Sequence, residues 1–196
     1  MTEPAYDLRT REGYLQRNAE TTERRIPAMF RGATTGNAEV LAWCGAFGPG
    51  SRSLLILGPT GVGKTHAAFA ALRQLAAQGI AVDWQALTAP DLYARLRPRD
   101  GVDTEGEFQV IAGCGLLVLD DLGAAKASEW TEEVNYRLVN WRHDRGLPVI
   151  VTSNLPADGP AGKPSLVTAA GERVMSRLSG MCQYVTLRGT DRRRSS

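Results

Sequence analysis

Gly58-Pro59-Thr60-Gly61-Val62-Gly63-Lys64-Thr65 decides the fold of this chain. The stretch fits G-x-x-x-x-G-K-[ST], the phosphate-binding loop known as Walker A. Before it, Leu54-Leu55-Ile56-Leu57 reads as a buried strand. After it, Thr65 to Gln78 reads as a helix rich in Ala and Leu that Gly79 stops. Strand, glycine-rich loop and helix form the context the motif needs. The glycines let consecutive backbone N–H groups turn inward around phosphates, and the helix starting near Gly63 aims its positive end at the same anion. Lys64 would reach the β- and γ-phosphates of ATP, and the Thr65 hydroxyl would ligate Mg²⁺. His66 closes the ATP-binding stretch, but a lone His on a helix is more often packed or solvated than reactive, so it takes no chemical role.

A chain of 196 residues suits one α/β domain with a short appendage. Hydrophobic residues make up 43%, enough for a core, and the charged fraction of 22% excludes a chain disordered throughout. A net charge of +2 neither requires nor excludes nucleic acid. Arginine greatly outnumbers lysine and gathers at Arg95, Arg97 and Arg99 and at Arg192-Arg193-Arg194. Taken singly, each cluster reads as solvated surface charge. Cys44, Cys114 and Cys182 are far apart, in apolar settings and without C-x-x-C or Cys/His pairing, which predicts reduced, packed thiols. No run approaches the ~18 apolar residues of a membrane span. The polar N-terminus is no signal peptide. A soluble, cytoplasmic protein with no membrane partner is expected.

Residues 1–25 read as a short charged arm, either a marginal helix weakened by Gly13 or a flexible segment, with Leu8 and Leu15 its only large aliphatics. Ile26-Pro27-Ala28-Met29-Phe30 is a compact apolar patch, and an ATPase domain is expected over residues 26–190. Residues 191–196 form a basic tail. Asn37 can cap a helix carrying Val40, Leu41, Trp43 and Phe47. Further strands are expected at Ile80 to Trp84, Leu116 to Leu119, Val149 to Val151 and Tyr184 to Leu187. Helices are expected around Leu92 and Leu96, around Phe108 and Ile111, from Ser128 to Arg145 and from Gly171 to Leu178. In the longest, Val134, Leu138 and Trp141 are spaced i, i+4, i+7 along the apolar face. Repeated βα units with continuous apolar strands predict a parallel sheet covered on both faces.

Asp120-Asp121 ends the Leu116 strand, the Walker B arrangement, and lies at the carboxyl edge of a parallel sheet beside the phosphate loop. Asp120 is placed to hold Mg²⁺, and Asp121 to orient or deprotonate the attacking water. Thr152-Ser153-Asn154 ends the Val149 strand at the same edge. That is the sensor position of P-loop ATPases with an extra strand between the Walker strands, and Asn154 is its working group. Arg173 and Arg177 are i, i+4 on the late helix. Such a pair can bridge a phosphate, reach a neighbouring subunit's nucleotide or form surface salt bridges.

With these motifs the chain resembles the DnaC/DnaI-type helicase loaders and the related transposase helper ATPases of the IstB type, within the AAA+ class. The resemblance rests on GPTGVGKTH at Gly58 to His66, LLVLDDLG at Leu116 to Gly123, VTSNL at Val151 to Leu155 and GERVMSRL at Gly171 to Leu178. Ile26-Pro27-Ala28-Met29-Phe30-Arg31-Gly32-Ala33 is similar to the family's I-P-x-x-[FY]-R-x-A approach segment. It implies a three-layer αβα P-loop fold, a five-stranded parallel sheet of order 5-1-4-3-2 and no helical lid. It also implies homo-oligomers with ATP at subunit boundaries and Arg177 as the arginine finger, with Arg173 in reserve. Ile26 and Phe30 would pack near adenine. Single-stranded DNA binding is implied too, with Arg95, Arg97 and Arg99 as contacts and Tyr93 available for stacking.

The expected function is an ATPase that loads or remodels a replicative DNA helicase, with ATP and Mg²⁺ holding the assembly and hydrolysis releasing it. A transposition helper with a transposase partner shares every motif. An ATP-dependent adaptor with negligible turnover is a third possibility. A small-molecule kinase fits less well, because the polar loop after Pro98 makes a poor lid.

Overall fold

The computed structural model describes residues 10–160 and 162–191. Leu8, the Arg192-Arg193-Arg194 cluster and nearly all of the basic tail lie outside these residues. The described chain divides into two compact units. One takes in the residues up to Phe47 together with Thr65–Val82; the other takes in Gly48–Lys64 and the residues from Asp83 onward.

The larger unit is built on a five-stranded sheet. Its strands are β1 (Ser53–Leu57), β2 (Trp84–Thr88), β3 (Leu116–Asp120), β4 (Val149–Ser153) and β5 (Cys182–Thr186). The order is β2-β3-β4-β1-β5 and all pairings are parallel, which is the expected order. β1 and β4 are buried along their whole length and β3 up to Leu119, with mostly apolar side chains, as central strands of a parallel sheet require. On one face, Leu55, Leu117, Leu119 and Val151 pack with residues of α4 (Ala89–Leu96), α5 (Thr104–Gly113), α6 (Glu129–Asp144), α7 (Leu166–Ala170) and α8 (Glu172–Met181) in a single core.

The second strand is Trp84–Thr88, not Ile80 to Trp84 as expected. Ile80 instead finishes the preceding helix, α3 (Lys64–Ala77). Its N–H donates to the Leu75 carbonyl at 3.0 Å, and the Gly79 N–H donates to the Ala76 carbonyl at 3.0 Å. With Gly79 left-handed at φ 83° this is a Schellman stop, in which an apolar residue after the glycine packs back on the helix. The true strand was harder to read because β2 is an edge strand, with an irregular pattern of burial. The fifth strand starts earlier than expected, at Cys182, and α7, capped reciprocally by Ser165 and Thr168, was not foreseen.

Along α6 only Leu138 of the three expected apolar positions is fully buried; Val134 and Trp141 are half-buried. The buried line runs through Thr131, Asn135, Leu138, Val139 and Arg142. Asn135 Oδ1 accepts a hydrogen bond from the Tyr93 hydroxyl at 2.9 Å. Arg142, 1% exposed, donates Nη1 to the Ala112 and Cys114 carbonyls at 2.9 and 3.0 Å and Nη2 to the Pro148 carbonyl at 2.5 Å. It thereby satisfies the carboxyl end of α5 and the approach to β4. Burial lowers its pKa from the ordinary guanidinium value. All three cysteines are buried. Burial pushes the Cys44 thiol up to about 11 and Cys182 to about 12, so both are protonated and inert.

The smaller unit contains α1 (Arg11–Arg25), α2 (Ala38–Gly45) and α3 from Thr65. Residues 11–25 of the charged arm are helical, with Thr10 as the cap. The Asn18 amide donates to the Ala76 carbonyl at 3.0 Å. Glu23 accepts from Arg73 Nε at 2.6 Å and from the Gly32 N–H at 2.6 Å. Partial burial opposes the Glu23 charge, but these donors outweigh it and hold the carboxyl below its ordinary range. Asn37 caps α2 as expected.

Candidate functional site

β1 ends at Leu57, and the loop Gly58–Gly63 turns into α3. Gly58, Gly61 and Gly63 have φ of 154°, 79° and 100°, a region that L side chains rarely adopt. A Cβ on Gly58 would strike the Leu187 carbonyl, and one on Gly61 would strike the Asp191 carboxylate. Only glycine fits this path, so the cradle suits an anion held by backbone N–H groups. Lys64 opens α3 and is 5% exposed. Its ammonium donates to the Pro59 carbonyl at 2.9 Å and to Asn154 Oδ1 at 2.5 Å.

Two more strand ends meet at this edge. The Asn154 amide nitrogen donates to Asp121 Oδ1 at 3.2 Å, so one side chain joins the loop's cation to the second acid. The Thr152 hydroxyl donates to Asp120 Oδ1 at 2.6 Å and accepts from the Asp121 N–H at 3.0 Å. Asp121 itself is left-handed at φ 56°, the sole such non-glycine among the described residues. Aspartate tolerates that conformation better than most residues, and such strain gathers at functional sites. Ser153 adds a bond to the Leu122 carbonyl at 2.6 Å, and the Leu122 N–H reaches the Thr152 carbonyl at 2.9 Å. β3 and β4 are thus stitched together just where the acids emerge. Sequence reasoning gave roles to Asp120, Asp121 and Asn154 and placed Thr152 at the same strand end without one; its hydroxyl occupies a fully buried strand position.

Arg177 is held elsewhere. Its Nε donates to Asn140 Oδ1 at 2.6 Å and its Nη2 to the Tyr136 hydroxyl at 3.1 Å, with the guanidinium carbon 4.7 Å from the Tyr136 ring centroid. Arg173 lies over the same ring at 5.9 Å. The pair is organised by residues of α6. Among the DNA candidates, Arg95 and Arg99 are exposed, and Arg97 lies 5.3 Å over the Trp130 ring. Tyr93 is no stacking platform: it is 8% exposed and bonded to Asn135 inside the core.

Thr65, His66, Ile26 and Phe30 belong to the smaller unit. His66 Nε2 accepts from the Thr34 N–H at 3.3 Å, a packing contact. Ile26 is buried, and the Phe30 ring stacks on Phe69 at 4.8 Å.

A sequence profile of IstB-like ATP-binding proteins matches residues 32–195. The chain belongs to the IstB-like ATP-binding protein family. It is 37% identical over 115 residues to an ATP-binding protein assigned to insertion sequence IS1162 of Pseudomonas fluorescens, a match covering 57% of this chain and 48% of the relative. It is 30% identical over 104 residues to one assigned to insertion sequence IS5376 of Geobacillus stearothermophilus, covering 53% of this chain and 40% of the relative. The chain thus spans less than half the length of these relatives. Among solved structures, the DnaC helicase loader aligns with TM-score 0.69 and 24% identity over 83% of this chain and 100% of that one. DnaI aligns with TM-score 0.66 and 23% identity over 87% and 98%. At these identities the likeness is one of fold. This IstB-like ATP-binding protein carries its glycine cradle and Lys64 between β1 and α3. No helix among the described residues is long and apolar enough to cross a membrane.

Proposed function

We propose that this IstB-like protein is a Mg²⁺-dependent ATPase that assembles on DNA and switches a transposase partner between engaged and released states. The observation that carries the catalytic part is the run Lys64–Asn154–Asp121, a cation, an amide and an acid linked by hydrogen bonds of 2.5 and 3.2 Å. Lys64 neutralises the β- and γ-phosphates. Asn154 spans the place between the γ-phosphate and the acid and orients the attacking water. Asp121 accepts that water's proton as its oxygen bonds to the γ-phosphorus and the bond to the ADP oxygen breaks. Hard oxygen donors suit Mg²⁺, and Asp120, oriented by Thr152, would be the carboxylate that holds it in this unit. When bound, the ion supplies charge neutralisation across the phosphates. Arg177, held half-buried by α6, completes a neighbouring subunit's site in a homo-oligomer, with Arg173 in reserve. Arg95, Arg97 and Arg99 contribute phosphate contacts to single-stranded DNA.

The partner is inferred from the insertion-sequence relatives, which are 30–37% identical in sequence, whereas the helicase loaders resemble the chain chiefly in fold. The likeness in fold to the DnaC helicase loader, over 83% of this chain, motivates a second reading with a replicative DNA helicase as partner. Light scattering on purified mixtures distinguishes them. An ATP-dependent complex with an insertion-sequence transposase from the same source, lost in Lys64→Ala, supports the first reading. A complex with the source's replicative helicase alone supports the second. Tight ATP binding with no measurable turnover would reduce the protein to an adaptor.

A further inference from the structure

After β5 the backbone turns back across the phosphate loop. The Leu187 N–H donates to the Leu57 carbonyl at 2.7 Å, which roots this segment at the end of β1. The Leu187 carbonyl then fills the space a Cβ on Gly58 would need. Two residues on, Gly189 rises beside Val62; a Cβ built on it would lie 3.6 Å from Val62 Cγ2. Two residues further, the Asp191 carboxylate closes on Gly61 so tightly that any side chain there would overlap it. Residues 187, 189 and 191 therefore follow the loop at Gly58, Val62 and Gly61. Gly189, at φ 141°, gives the segment a glycine pivot between its root and Asp191.

This loop suits polyphosphate, and the Asp191 carboxylate lies against its crown, in space an entering anion would need. Like charges repel, and a carboxylate held against Gly61 disfavours every anionic group entering the cradle. We propose that Leu187–Asp191 is an autoinhibitory strap whose Asp191 carboxylate competes with nucleotide phosphate, so that binding requires the strap to pivot off the loop. The proposal rests on the nucleotide-site assignment and adds a gate to it. The strap would make ATP occupancy and its own seat on the loop mutually exclusive, which gives the ATPase a direct way to signal its state.

The test is calorimetric titration of ATPγS with Mg²⁺ into the full chain, Asp191→Asn, Asp191→Ala and Lys64→Ala. Asp191→Asn keeps the shape and removes the charge. It is expected to tighten binding by roughly 3- to 10-fold at low salt, with the gain shrinking at high salt as screening grows. Amide hydrogen exchange over residues 187–191 is expected to speed up when nucleotide binds. Unchanged affinity in both Asp191 variants, with Lys64→Ala defective, overturns the strap and leaves the nucleotide site standing. Weaker binding in Asp191→Asn overturns it in favour of a carboxylate that contacts the nucleotide, for example through ribose hydroxyls. Slower exchange of the strap with nucleotide also overturns it. Absence of binding in all four proteins overturns the nucleotide site and the strap together.

Discussion

The phosphate loop and the Arg177 platform sit in one unit and are held by different parts of the chain. At the loop the main chain does the positioning: three positive-φ glycines set the path, Lys64 opens a helix, and the acids emerge at strand ends. At the platform, side chains position another side chain. Arg177 depends on Asn140 and Tyr136, 37 and 41 residues away in sequence. A backbone-built site leaves a fixed spacing in the sequence because few residues fit it. A side-chain platform leaves none, since many pairs on two packed helices could hold a guanidinium. The same contrast predicts rigid behaviour at the loop and graded tolerance at the platform.

Substitutions can break or sharpen that contrast. Asp121→Asn should keep nucleotide binding and lower turnover by about 10²- to 10⁴-fold, the range for loss of a positioned general base. Single-turnover assays with matched binding data check it, and full turnover would move the catalytic role elsewhere. Lys64→Ala should weaken ATP binding by about 100-fold, the loss of a charge-assisted contact worth about 3 kcal/mol. Titration measures that directly, and an unchanged affinity would remove the loop from the site. Asn154→Ala should cost roughly tenfold in turnover, and a double-mutant cycle with Asp121→Asn should show strong non-additivity. Additive losses would mean that the hydrogen bond between them has no part in catalysis. Tyr136→Phe should be mildest, about fivefold at most for one neutral hydroxyl contact of about 1 kcal/mol, because Asn140 still holds Nε. A loss as large as that of Lys64→Ala would show the platform to be as rigid as the loop.

Most of the edge where β1, β3 and β4 end was legible in the sequence. Glycine spacing, two acids after an apolar strand and a polar strand end each follow from geometry that few residues satisfy. The sheet order came from the family resemblance, and the sheet confirms it. What escaped has identifiable physical causes. Ile80 looked like the start of a strand because an apolar residue after Gly79 serves equally well to close a helix. The α6 face was read from apolar spacing alone, so Asn135 and Arg142 were missed. Both are polar residues made acceptable in the core by Tyr93 and by three carbonyls. Tyr93 looked available beside three arginines until its hydroxyl proved to be bonded inside the core. Asp191 meets Gly61 across 130 residues, and no local pattern announces such a contact.

The central claim is that hydrolysis uses Asp121 from one subunit and Arg177 from its neighbour. Its most direct test is ATP turnover in mixtures of Arg177→Ala with Asp121→Asn. Each variant alone should be inactive. In a random equimolar mixture about a quarter of the interfaces pair an intact acid with an intact arginine, so a corresponding fraction of wild-type activity should return. If every mixture of the two folded variants stays inactive, or if Arg177→Ala alone turns over like the wild type, the shared site is wrong.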